Sequence, residues 1–285
     1  MLDTKGKEQL YDKLIRIFNS TVCFCLAYAL ITFGGFFSMA LIGKFFKFDA
    51  NIFYFGIRFM LNGHKWSRLK VSLIFSAYPV FALLLGLAML YIFDRIKRKP
   101  ALLNVFLVWC FVIGSCFFVA QGLIASFGAN EFNSPFYQNF AVVFEWWFLP
   151  PPFVYAFNIF FALLLLYFSI NSPKMFLSFS YSFSKVNKSS RRRQYFIETA
   201  VVPFLLGAVA TTALTFPMNI FVHSIYLLVI GVSLLVSWIA LFYLEILKDD
   251  VLKYKVLQTP GFVMAFMLAL LVIFIKVYWR GIFIS

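Results

Sequence analysis

The sequence predicts an all-α polytopic transmembrane helix bundle of about seven spans. A small β-hairpin or meander at 43–70 lies on its surface, and an interfacial amphipathic helix occupies 135–149. Three observations predict this class. Hydrophobic residues make up 63% of the 285 and charged residues 13%, with a mean hydropathy of +0.90. A soluble domain of that size has no interior large enough for so much apolar surface. Apolar runs long enough to cross ~30 Å of hydrocarbon recur at about 21–42, 71–93, 101–127, 153–170, 195–216, 219–245 and 262–279. Lys and Arg fall mainly between those runs.

The first 19 or so residues read as a short amphipathic helix, Leu2–Ser20, with Leu10, Leu14, Ile17 and Phe18 on one face. Lys7, Lys13 and Arg16 are expected to snorkel to headgroups. The apolar run that follows is too long for a signal-peptide core, so the segment reads as an uncleaved signal anchor. Span one carries Gly34-Gly35, which allows close helix packing in lipid.

Between Gly43 and Lys70 the period changes. Phe46, Phe48, Ala50 and Ile52 alternate with Lys47, Asp49 and Asn51, the signature of a strand. Asn62-Gly63 predicts a two-residue hairpin turn between Arg58–Leu61 and His64–Ser67. His64 reads as a solvated turn residue. Span two contains Pro79 and Gly86, and Asp94, Arg95, Lys97, Arg98 and Lys99 stop it. In span three Gln121 requires a buried partner.

Gly128–Pro152 has no Lys or Arg. Ser134-Pro135 predicts a helix start, and Phe136, Phe140, Val143, Phe144 and Trp147 follow at helical spacing up to Pro150-Pro151-Pro152. This amphipathic helix is expected in the interface, with Glu145 on its solvated side. After span four, the linker Asn171–Gln194 is polar and basic and ends in Arg191-Arg192-Arg193.

Spans five and six hold the polar residues least expected in lipid. Thr199, Pro203, Gly207, Thr211 and Thr215 recur every fourth residue and share a helical stripe. Its plain reading is a packing face; its sharper reading is a substrate path. Pro203 frees a carbonyl near Thr199 and predicts a kink there. Asn219 and His223 are four apart on one face after the Pro217 turn. His223 reads either as a helix-end histidine or as a relay with Glu198, although Glu198 is placed near the opposite membrane surface. The candidate intramembrane or packing site is therefore Glu198, Thr199, Gly207, Thr211, Thr215, Asn219 and His223.

A net charge of +14 suggests no nucleic acid here, because the basic residues sit in loops beside apolar runs. The expected partners are a bilayer with anionic headgroups and other membrane subunits. Arg191, Arg192, Arg193, Arg95, Lys97 and Arg98 are the candidate headgroup or partner contacts. With seven spans and a cytoplasmic N-terminus, 17 of the 25 Lys and Arg fall in cytoplasmic segments and eight outside. That balance predicts a bacterial inner-membrane protein with its N-terminus inside and its C-terminus outside. Gly43–Lys70, basic yet outside, is the exception.

No metalloprotease, serine-hydrolase, P-loop or dinucleotide fingerprint occurs. Cys23, Cys25, Cys110 and Cys116 all fall in predicted spans and read as small hydrophobes, with neither disulfide nor metal expected. No catalytic residue, metal or cofactor is assigned.

One layout is familiar. A first span, a hairpin and then a helix opening with Ser76-Ala77-Tyr78-Pro79 resemble the start of the site-2 protease membrane core. Phe148-Leu149-Pro150-Pro151-Pro152 resembles the approach to that family's second metal motif. The resemblance covers about residues 21–155. Thr32-Phe33-Gly34-Gly35-Phe36 stands where that family carries zinc-binding histidines, and Phe153-Val154-Tyr155 stands where it carries an aspartate. The resemblance therefore implies a relative that has lost its chemistry.

Overall fold

A computed structural model describes residues 4–53, 56–60, 66–96, 102–128, 137–180, 183, 186–215, 220–244, 269–270, 273 and 281–284. The helices are α1 (Thr4–Phe45), α2 (Arg68–Ile96), α3 (Leu103–Gly128), α4 (Phe140–Trp146), α5 (Pro151–Ser178), α6 (Ser189–Phe196), α7 (Val202–Thr215) and α8 (Ile220–Ala240). A π-helical turn, Ile197–Val201, joins α6 to α7. The strands are β1 (Asp49–Phe53), β2 (Gly56–Met60) and β3 (Ile282–Ile284).

Among the described residues, six helical segments are long and apolar enough to cross a membrane: Leu10–Phe45, Arg68–Ile96, Leu103–Ser126, Pro151–Ser178, Ser189–Ala213 and Ile220–Ala240. The chain is a multi-pass membrane protein. The expected span at 262–279 lies almost wholly outside the described residues. α3 is the axis of the bundle and α5 its rim: 83% of the apolar stretch of α3 is buried, against 17% for α5.

α1 departs from the expectation of a separate amphipathic helix before the first span. It runs unbroken, because the Asn19-Ser20-Thr21 triplet is satisfied inside it and against its neighbours. Asn19 and Ser20 are buried, and Thr21 donates back to the Ile17 carbonyl oxygen at 2.8 Å. Leu10, Leu14 and Phe18 face outward as one stripe, whereas Arg16 is buried instead of snorkelling. The helix ends in a Schellman motif. Lys47 adopts a left-handed φ of 61°, its N–H reaches the Lys44 carbonyl oxygen at 2.8 Å, and the Phe48 N–H reaches that of Gly43 at 2.9 Å.

That sharp stop turns the chain into a three-stranded sheet of order β2-β1-β3. Phe48, Ala50 and Ile52 point inward, as the alternation predicts. The pairing differs from expectation. β1 pairs with β2 through the chain reversal between Phe53 and Gly56, and β3, from the C-terminal end, covers the other edge of β1. The Asn62-Gly63 turn and His64 lie outside the described residues.

Glycines set the helix crossings. A Cβ on Gly114 would strike the Ala82 carbonyl oxygen and come within 3.2 Å of the Gly86 Cα, so α2 and α3 meet backbone to backbone. At the α1–α2 crossing, Gly34 and Gly35 lie under the Phe81 and Tyr78 rings. Close backbone approach of this kind is what holds helices together where lipid removes the hydrophobic drive between them.

Two further boundaries move. Of the helix expected at 135–149, the described part is Phe140–Trp146. Its aromatic face packs inward, with Phe140 against Phe118 and Phe144 against Phe157. Glu145 faces the hydroxyl of Tyr137, which burial and then the carboxylate push up to about 12. The linker expected from Asn171 is instead helical to Ser178, because Ser172, Pro173, Phe176 and Leu177 are buried against the bundle.

Arg16 meets Glu198 and Arg192 meets the Leu244 carbonyl, so the N-terminal half of α1, α6 and the exit from α8 share one end of the bundle, the basal end. The sheet occupies the other end, because β1 follows α1. Since β3 pairs with β1, the two ends of the chain lie at opposite ends of the bundle.

Candidate functional site

Two buried polar clusters lie in the bundle, both on α1. The basal one is built around Glu198. Pro203 lacks the N–H that an α-helix would give to the Thr199 carbonyl, and the helix answers by widening into the π turn, with the Val202 N–H bonded to the Ile197 carbonyl. The freed Thr199 carbonyl accepts the Ser20 hydroxyl at 2.6 Å, and Ser20 in turn accepts the Trp109 indole N–H at 2.9 Å. The widened turn aims Glu198 inward at α1. Its carboxylate takes Arg16 Nη2 at 3.0 Å and Lys13 Nζ at 3.3 Å. The Arg16 guanidinium also lies over the Tyr195 ring at 5.1 Å. Lys13 is half-exposed, whereas Arg16 and Glu198 are buried.

The second cluster lies twelve residues further along α1, roughly 18 Å at 1.5 Å per residue. The Tyr28 hydroxyl is 2.6 Å from His223 Nδ1, and Thr212 Oγ1 is 2.9 Å from His223 Nε2. The Thr212 hydroxyl sits 2.8 Å from the Ala208 carbonyl oxygen, to which it donates, so its oxygen accepts the Nε2–H. That fixes the neutral tautomer: Nδ1 is the acceptor and Tyr28 the donor. The Phe117 ring stacks on Tyr226 and meets Tyr28 edge-on, and the Gln121 amide donates to the Tyr226 hydroxyl. Four spans, through α1, α3, α7 and α8, thus converge here, and Tyr78 of α2 stacks on Phe117 from the fifth.

No known protein family, curated protein or solved structure matches this chain. Its site is therefore read from these contacts alone.

The residues predicted from sequence separate between the two clusters. Glu198 and Thr199 belong to the basal one, and His223 to the interior one. Thr199, Gly207 and Thr211 are buried on the stripe of α7 that meets α1, with Gly207 against the Phe24 ring. Thr215 ends α7, its side chain outside the described residues, as is all of Asn219. The relay of His223 with Glu198 does not form: their partners on α1, Tyr28 and Arg16, are a dozen residues apart.

The headgroup candidates also divide. Arg192 donates to the Leu244 carbonyl oxygen, and Arg193 lies over the Phe242 ring at 4.1 Å, so both clasp the segment that follows α8. Arg191 and Arg95 are exposed, Arg95 with its guanidinium on Tyr91 of its own helix. Lys97 and Arg98 lie outside the described residues. All four cysteines are buried and free. Among the described residues no cluster of three His, Cys, Asp or Glu side chains has metal-site geometry.

Sequence reasoning missed three partners: Arg16, Tyr28 and a serine ladder. In the ladder Ser169 and Ser172 of α5 meet Ser233 and Ser237 of α8 at 2.8 Å each. Ser233 and Ser237, four apart in an apolar run, are the signal that marks the ladder in the sequence.

Proposed function

We propose that this chain is a non-catalytic membrane component that binds a protein or lipid partner. One observation carries the reading. Among the described residues, the charged side chains buried within spans are Arg16 and Glu198, and they are closed on each other. Ion- or proton-coupled carriers need an intramembrane charge that exchanges partners. The serine ladder and the Ser20–Thr199 bond likewise join helix to helix. The polar groups act as fasteners of a scaffold whose rim, α5, turns Phe153, Phe160, Leu163 and Ile170 outward.

The basal end faces the cytoplasm in this reading. Lys13, Arg95, Lys188 and Arg191 stand there, in line with the positive-inside rule. The test is reconstitution of the purified protein into liposomes under a pH gradient, beside photo-crosslinking from the outward face of α5 in native membranes. A defined protein adduct or a retained anionic lipid, with no flux above empty liposomes, supports the proposal. Stoichiometric proton or solute flux overturns it in favour of transport.

A degenerate relative of the site-2 protease core is the second reading, favoured by one contact. Gly34-Gly35 and Tyr78, which stand at that family's zinc-binding helix and proline element, pack on each other. The other half of the resemblance does not converge there, since Phe153 and Tyr155 are exposed on α5. Zinc retained in stoichiometric amount by the purified protein, measured by mass spectrometry, would return chemistry to this reading.

A further inference from the structure

The interior cluster holds more hydrogen-bonding capacity than it uses. Gln121 Oε1 is buried without a hydrogen-bond partner, and the Tyr78 hydroxyl stands among those of Thr32 and Tyr226, none of the four residues more than 2% exposed. A buried orphan of this kind costs stability and calls for an explanation. Tyr78 and Tyr28 both lie within electrostatic reach of Tyr226, and Gln121 bonds it.

We propose that His223 is a proton-binding site inside the membrane, loaded through Tyr28. In the resting state Tyr28 donates to Nδ1. An incoming proton joins the Tyr28 oxygen, the original Tyr28 proton passes to Nδ1, and the product is an imidazolium beside a neutral phenol. One O–H bond breaks, one N–H and one O–H form, and one positive charge enters. The new Tyr28 O–H then points away from the ring and needs an acceptor, and the unused Gln121 Oε1 takes that role. Nε2–H keeps its bond to Thr212 throughout. The titratable groups of the cluster are Tyr28 from α1, Tyr78 from α2 and Tyr226 from α8. α7 presents the Thr212 hydroxyl, and among the described residues no carboxylate faces the ring, Glu198 standing at the basal end. The charged form is thus held by hydrogen bonds, with no counter-ion. This inference leaves the partner-binding reading standing: a proton that enters and leaves His223 from the same side crosses no membrane and carries no flux.

The test uses the full chain with His64→Gln, which leaves His223 as its one imidazole, labelled with ¹⁵N in nanodiscs of phosphatidylethanolamine and phosphatidylglycerol. Near neutral pH the nitrogen signals are expected to report the Nε2–H tautomer with a hydrogen-bonded Nδ1. Acidification converts both to imidazolium, reversibly, while the bundle remains folded. Tyr28→Phe leaves the cation's Nδ1–H without an acceptor, and the midpoint falls by about one pH unit, the proton affinity that one hydrogen bond contributes. Thr212→Val, which keeps the side-chain shape, lowers it in the same direction because a charged donor loses more than a neutral one. An imidazole that stays neutral until the bundle unfolds, an Nδ1–H tautomer at rest, or a midpoint that rises or stays in both variants overturns the proposal.

Discussion

The hydroxyl of Ser20 donates to the carbonyl oxygen of Thr199 at 2.6 Å, four residues before the proline that leaves that carbonyl free. In water such a carbonyl finds a solvent partner; inside a bundle only another helix can supply one. α1 and α7 are thereby joined at the point where α7 is weakest, and the same hydroxyl ties in α3 through Trp109.

Ser20→Ala is expected to destabilise the protein by about 1–3 kcal/mol, the range for orphaning a buried acceptor. Pro203→Ala restores the N–H that Thr199 lacks, so the serine matters less in that background. A double-mutant cycle by thermal unfolding in detergent checks this. Strictly additive effects of the two substitutions would show that Ser20 does not answer the proline.

The buried ion pair makes a steeper prediction. Glu198→Gln removes the charge that neutralises Arg16 and leaves a guanidinium in the bundle, a change that costs about 3–5 kcal/mol in comparable sites. Lys13, half-exposed, contributes little by comparison, and Lys13→Ala stays within about 1 kcal/mol. Arg16→Met combined with Glu198→Leu recovers most of the loss. Unfolding midpoints of the three variants beside the parent decide it, and equal losses for Lys13→Ala and Glu198→Gln would sink the ranking.

What the sequence reveals and what it hides follow from the range of the interactions. The spans are legible because hydropathy is a sum over some twenty neighbours along the chain. The freed carbonyl at Thr199 is legible because proline acts on its own helix, four residues back. Gln121 announces a need for a partner without naming it. Tyr226, Arg16 and Tyr28 are not legible as partners, since each pairing joins residues more than 100 positions apart. β3 is hidden for a different reason: a three-residue strand has too little pattern to stand out beside an apolar run, and it exists because β1 offers it an edge. The amphipathic reading of Leu2–Ser20 recognised the outward stripe of Leu10, Leu14 and Phe18. Periodicity alone could not place Arg16 against a glutamate 182 residues away.

Glycine positions rank by what they face. Gly207 meets the Phe24 ring, which can swing, whereas Gly114 meets the Ala82 carbonyl and the Gly86 backbone, which cannot. Gly114→Ala is therefore expected to cost more than Gly207→Ala, and Gly207→Leu to reach the ~1–3 kcal/mol of an overpacked core. Thermal stability of the three variants checks the order. Gly207→Leu melting with the parent would mean that this stripe tolerates bulk.

The last prediction concerns the path of the chain through the bilayer. β1 follows α1 directly and pairs with β3, so residues 49–53 and 282–284 share one side of the membrane. Arg192, on the helix that leads into Glu198, donates to the Leu244 carbonyl oxygen, so the exit from α8 lies at the opposite side. With the seventh span expected at 262–279, the chain makes an odd number of crossings. Impermeant maleimide labelling tests this in a background without the four buried cysteines. Single cysteines replacing the exposed residues Lys47 and Phe283 are expected to react from the same side, and one replacing Lys188 from the other. Phe283→Cys reacting together with Lys188→Cys would break the β1–β3 pairing in the membrane and reduce the crossings to an even number. If Lys188 is the member reached only after the cytoplasmic face is opened, the basal end is cytoplasmic, and the basic residues gathered there stand on the side that the charge balance of the chain assigns to them.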